Sequence, residues 1–148
     1  MAERVAILII VATVLIGLYL LLKRRQLSRV ARRGLSDPLL QTARTGVPTV
    51  VYFTTPNCAP CRYQQKPALA KLAAELGDAV QIIEVDAAAQ PEDAKRWGVF
   101  TAPTTFVLNS DGAPHTVNHG VADAAKLAGQ IRAAQAARTA PLADSRVA

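Results

Sequence analysis

Cys58 and Cys61 are the only cysteines in the chain, and they sit three positions apart in the stretch TTPNCAPCRY. That spacing suits three chemistries: half of a zinc site, a permanent structural disulfide, or a pair that cycles between dithiol and disulfide. For zinc, His115 and His119 have the spacing of a second ligand pair. They lie far beyond the interval of about a dozen residues usual in a finger, however. A structural disulfide across so short a loop removes little entropy from the unfolded chain. Exchange chemistry needs the attacking sulfur as thiolate, so its surroundings must favour negative charge. A helix N-terminus supplies this through unpaired N–H groups and a partial positive charge. Pro60, with no N–H to leave unsatisfied, fits a first helical turn. On this reading Cys58 is the exposed nucleophile, Ala59 and Pro60 form the turn, and Cys61 is the resolving thiol one turn in. The redox-active disulfide Cys58–Cys61 is then the only redox group, with no separate cofactor and no metal.

Stepping outward, an apolar β-branched run, Val47 to Phe53, precedes the pair and reads as a strand covered on both faces. After the pair, Ala68, Leu69, Leu72, Ala73 and Leu76 recur at helical spacing up to Gly77, with a kink expected at Pro67. Val80 to Asp86 is a second strand and Pro91 to Arg96 a short helix ending at Trp97-Gly98. Thr104 to Leu108 and Pro114 to His119 form a hairpin across Asn109-Ser-Asp-Gly112, because Asp-Gly supports the positive φ of a tight turn. Ala122 to Ala137 is a last amphipathic helix with Leu127, Ile131 and Ala134 on one stripe. Upstream, Ser36 as N-cap, Pro38 in the first turn and Gly46 as a stop predict a helix of about two turns.

The net charge of +6 does not belong to this region. Residues 1–46 carry eight Lys or Arg against two acids, and the rest of the chain carries nine of each sign. A polyanion-binding face on the globular part is therefore unsupported, and no nucleic-acid partner is expected. The excess lies beside VAILIIVATVLIGLYLLL, Val5 to Leu22, eighteen residues without charge or proline. As a helix this run spans roughly 27 Å, close to the hydrocarbon thickness of a bilayer. A cleaved signal is the competing reading, but the run continues into Lys23-Arg24-Arg25 and not into a small-residue cleavage site. The basic flank from Lys23 to Arg33 favours a cytoplasmic C-terminal domain, with the extracytoplasmic side as the alternative.

The order of elements, CAPC at a strand-to-helix junction, and the block Trp97-Gly-Val-Phe-Thr-Ala-Pro-Thr104 resemble the thioredoxin family over roughly Ser36 to Ala136. The resemblance implies an α/β, thioredoxin-like fold: a mixed central sheet of four or five strands flanked by helices, here preceded by a transmembrane helix. The family's first strand has no evident counterpart before Ser36. The resemblance further implies that Pro103 follows a cis peptide bond beside the disulfide, that Ala102 offers its backbone to a substrate chain, and that Gly120 borders the substrate groove. It also exposes departures. Asn57 stands where the family usually has Trp, Tyr52 where it has a buried Asp, and Ile82 where it often has the partnering Lys. A water, the leaving thiolate or His119 could then serve Cys61 as base. Pro67 lies one position further from the second cysteine than is usual.

These readings divide the chain into a flank at 1–4, a transmembrane helix at 5–22, a basic juxtamembrane linker at 23–35, a thioredoxin-like domain at 36–137 and a tail at 138–148. The expected activity is membrane-tethered thiol–disulfide exchange, in the reducing direction because Pro60 and not His precedes Cys61. Expected partners are protein disulfides, the lipid bilayer, and an electron donor such as a thioredoxin reductase or a transmembrane thiol carrier. A membrane-anchored binding module that uses the groove without turnover is a further alternative.

Overall fold

The computed structural model describes residues 2–31 and 37–139. Its order is helix α1 (Ala2–Ala31), a 3-10 turn (Pro38–Leu40), strand β1 (Thr49–Thr54), a π turn (Cys61–Gln65) running into α2 (Lys66–Leu76), β2 (Gln81–Asp86), α3 (Pro91–Trp97), β3 (Thr104–Leu108), β4 (Pro114–His119) and α4 (Ala124–Thr139). The four strands form one sheet in the order β2-β1-β3-β4. β1 pairs parallel with β2 and antiparallel with β3, and β3 pairs antiparallel with β4. Among the described residues the sheet is thus mixed and four-stranded, the smaller of the two expected strand counts.

β1 is buried along its whole length and feeds both faces of the sheet. Val50 and Tyr52 face one core with Cys61, Leu72, Leu127 and Ile131. Val51 and Phe53 face the other, with Leu40, Val85 and Trp97. In that second core Phe53, Trp97 and Phe106 form a triangle with ring centroids 5.0 to 6.0 Å apart, the tilted and edge-on geometry that aromatic quadrupoles prefer. Two filled faces hold β1 in place, and β1 is the element that delivers the cysteines.

The hairpin forms as its sequence predicts. Asn109 Oδ1 accepts from the Asp111 and Ala113 amides at 3.0 and 2.8 Å, and Gly112 takes φ of +75°. Two expectations change. The helix read from Ser36 to Gly46 is only the 3-10 turn Pro38–Leu40, capped by Asp37 Oδ1 on the Leu39 amide at 3.0 Å. Ser36 lies outside the described residues. Helix propagation beyond Leu40 is forestalled because the Gln81 side chain takes both the Arg44 amide, at 2.6 Å, and the Thr42 carbonyl, at 3.0 Å. The last helix begins two residues later than its periodicity implied, since Asp123 caps it through the Lys126 amide at 2.7 Å.

α1 is long enough and apolar enough to cross a membrane, and it continues through the basic segment to Ala31. Its C-terminal half touches β4 and α3. Gln26 Nε2 donates to the Trp97 and Gly98 carbonyls at 3.1 and 2.8 Å, and Leu27 packs against the aromatic core.

Candidate active site

The chain leaves β1 at Thr54, turns through Pro56-Asn57, and enters helical backbone at Ala59. Cys58 therefore stands at the first position before a helix. Its amide donates to the Thr55 carbonyl at 3.2 Å, and its carbonyl accepts the Arg62 amide at 3.2 Å. Its Sγ accepts the Cys61 amide at 3.2 Å, as an N-cap oxygen would. An N–H aimed at this sulfur favours its anionic form. Cys58 is half-buried while Cys61 is only 1% exposed. The two are joined as a disulfide with Cα atoms 5.2 Å apart. One sulfur of the pair is thus accessible and the other shielded.

The residues singled out forty positions later come to the same place. The Ala102–Pro103 peptide is cis. Ala102 and Cys58 both pack against the core cluster that contains Cys61. Gly120, at φ of +90°, donates its amide to the Pro103 carbonyl at 2.8 Å and so ties the end of β4 to this loop. Ala59 and Pro60 form the first helical turn between the cysteines.

The helix after Cys61 departs from regular α geometry. Cys61 to Gln65 form a π turn closed by the Lys66 amide on the Cys61 carbonyl, five residues back. This widened turn takes up the one residue by which Pro67 is displaced, and Pro67 falls in the first turn of α2, where its missing N–H costs least. The kink expected at Pro67 is realised as this change of winding.

A cavity of about 350 Å³ opens beside the disulfide, lined by Cys58, Cys61, Arg62, Lys66, Glu84 and Asp86. Lys66 Nζ lies 2.8 Å from Glu84 Oε1, and this hydrogen-bonded carboxylate holds the ammonium above its ordinary pKa. On the other side of Thr55 a second cavity of about 340 Å³ is walled by Val99, Phe100 and Ala102, with Phe100 90% exposed. Sequence reasoning missed Gln65, Lys66, Glu84 and Phe100. Glu84 had a signal, as a charge set between the apolar Ile83 and Val85 of β2. The displaced Pro67 was the signal for Gln65.

Tyr52 is fully buried in the core cluster with Cys61, and its hydroxyl has no hydrogen-bond partner among the described residues. Burial pushes its pKa above the usual tyrosine value, with Thr54 alongside opposing the shift. No carboxylate stands at this position. His119 is placed elsewhere. It lines a cavity between α1 and the domain with Tyr19, Leu22, Lys23 and Phe100, not the cavity of the cysteines. Partial burial, and then the charge of Lys23, hold its imidazole below the ordinary pKa.

Comparison with known proteins agrees with this geometry. The thioredoxin family model matches residues 39–133. The chain is 38% identical to the thioredoxin of Bacillus subtilis over 56 residues, which is 38% of this chain and 53% of that protein, so the match spans about half of its length. It is 34% identical to the thioredoxin of Rhodospirillum rubrum over 80 residues, 54% of this chain and 75% of the other. Among solved structures, Fasciola hepatica thioredoxin superposes with a TM-score of 0.54 at 30% identity, covering 62% of this chain and 84% of that one. Oxidized mitochondrial thioredoxin 3 of Saccharomyces cerevisiae gives 0.55 at 25% identity, covering 67% and 89%. The matched residues take in all four strands, the cysteine turn and the cis-proline loop, and on that ground the chain belongs to the thioredoxin family.

Proposed function

We propose that this protein is a membrane-tethered thiol–disulfide oxidoreductase that reduces protein disulfides. Its thioredoxin domain and its Cys58–Cys61 disulfide support thiol–disulfide exchange in general. The single observation that carries the reading is the asymmetry of the pair: Cys58 Sγ accepts the Cys61 amide at the helix start, and Cys61 is shielded behind it. In the dithiol form the Cys58 thiolate attacks one sulfur of a substrate disulfide. A mixed disulfide forms and one substrate thiolate leaves. Cys61, giving up its proton, attacks Cys58 Sγ, releases the second substrate thiolate and closes the disulfide. Two electrons and two protons from an external dithiol donor then restore the pair. A thioredoxin reductase could supply them on the cytoplasmic side, or a transmembrane thiol carrier on the other.

Pro60 before Cys61 supports the reducing direction. A potential below roughly −180 mV against glutathione buffers is expected. The apolar helix supports tethering, and the basic residues from Lys23 onward favour a cytoplasmic domain. The activity is tested with the full chain in detergent, reducing insulin disulfides with dithiothreitol as donor. The wild type is expected to accelerate the reaction and Cys58→Ser to abolish the acceleration; equal rates would overturn the enzymatic reading in favour of a binding module. Labelling of Cys58 in intact cells by a membrane-impermeant thiol reagent would reverse the orientation.

A further inference from the structure

Gln65 is a polar side chain with no solvent exposure, set in the last position of the π turn. Both ends of its amide are bonded. Nε2 donates to the Ala122 carbonyl at 3.0 Å, and Oε1 accepts the Ala122 amide at 2.8 Å. Ala122 is itself 1% exposed and lies in the connection between β4 and α4, outside either element. Its backbone groups need partners, because a buried peptide left unpaired is strongly penalised. Gln65 provides both, much as a neighbouring strand would.

The same connection is held at its other end. Gly120 donates to the Pro103 carbonyl, so the three residues Gly120-Val121-Ala122 are fastened to the cis-proline loop on one side and to the cysteine helix on the other. Val121, between the two fastenings, is 38% exposed. Gln65 can reach Ala122 because the π turn buries both Cys61 and Gln65. The cysteine helix and the cis-proline loop are thereby joined through Gly120–Ala122.

We propose that Gln65 is a positioning residue: by clamping Ala122 it holds the Gly120–Ala122 segment against the cysteine helix as a wall for a bound polypeptide, and so sets how tightly a polypeptide disulfide is bound without altering the reactivity of the thiols. A small disulfide, which needs only Cys58, does not use the wall. The kinetic half of this inference rests on the exchange activity proposed above, whereas the clamp itself does not.

The test uses the full chain in detergent as wild type, Gln65→Met and Gln65→Glu. Gln65→Met keeps the length and removes both bonds. KM for insulin should rise about tenfold, the effect of losing one or two net hydrogen bonds, with kcat and the rate on the small aromatic disulfide DTNB within about twofold. Hydrogen exchange should show the Ala122 amide losing protection while amides of β1 and β3 keep theirs. Gln65→Glu separates this from a general loss of structure. A protonated carboxyl can donate and accept as the amide does, and burial favours that form. The insulin-to-DTNB ratio should therefore approach wild type at low pH and fall as pH rises. An unchanged ratio in Gln65→Met, or an Ala122 amide that stays protected, would overturn the proposal. So would equal losses on both substrates with no recovery of Gln65→Glu at low pH, which would mark the residue as structural only. If the wild type reduces neither substrate, the exchange reading has failed, and the clamp stands or falls on the Ala122 amide alone.

Discussion

Tyr52 stands where the family resemblance implies a buried Asp, and its surroundings accommodate a phenol. An ionised carboxylate there would need a buried countercharge, and Ile82 cannot provide one. A neutral phenol needs none, although its hydroxyl is left without a partner among the described residues. Tyr52→Phe should therefore leave stability within about 1 kcal/mol of wild type, since it keeps the ring and removes a buried hydroxyl that has Thr54 beside it. A urea titration of the full chain measures this, and a larger loss would mean that the hydroxyl carries more than one bond's worth of stability. The pH dependence has a definite sign. The folded state raises the pKa of Tyr52 above 10.0, so above that pH the unfolded chain sheds a proton that the folded chain retains. Stability should fall on going alkaline, and less steeply in Tyr52→Phe.

Among the elements, those that carry the site could be read from sequence because local signals and burial agreed. Thr104–Leu108 and Pro114–His119 have the predicted bounds, since a turn with a positive-φ glycine fixes the register of the hairpin. The cysteines lie at the helix start because the β-branched run of β1 ends just before a proline-bearing turn. Where a distant side chain intervenes, sequence patterns fail. The helix expected after Ser36 gives way to the bonds of the Gln81 amide, and the π turn carries Gln65 to Ala122, 57 positions along the chain, a contact that no periodicity records. Asp37, beside the Ser36 expected as N-cap, is 3% exposed and bonded to both the Leu39 amide and Arg96 Nη2. Asp37→Ala should cost about 2 kcal/mol, by loss of a cap and of one partner in a partly buried ion pair, with an unchanged denaturant slope. Arg96 also pairs with Asp93, and a cost below about 0.5 kcal/mol would show that this second ion pair makes up for the loss of Asp37.

At the scale of the molecule, α1 and the domain meet through Gln26, Leu27 and the cavity shared by Lys23 and His119. His119 reports on that contact. Its folded pKa lies below 6.5, so the unfolded state binds the proton more readily. Stability from this group is present above that value and is lost as pH falls below it. Removing the nearby charge with Lys23→Gln should raise the His119 pKa, read from imidazole NMR shifts in the full chain; no movement would mean that the helix and domain separate in solution. Under the tethering proposed above, the Gln26 contacts would have a mechanical consequence. A domain on a flexible tether samples every altitude its leash allows, and its effective concentration is averaged over that volume. One bolted to its own post through Gln26 and Leu27 would keep its disulfide at a single height above the lipid. Such a protein would choose among targets by how far their disulfides stand from the bilayer, as a gauge set to one mark.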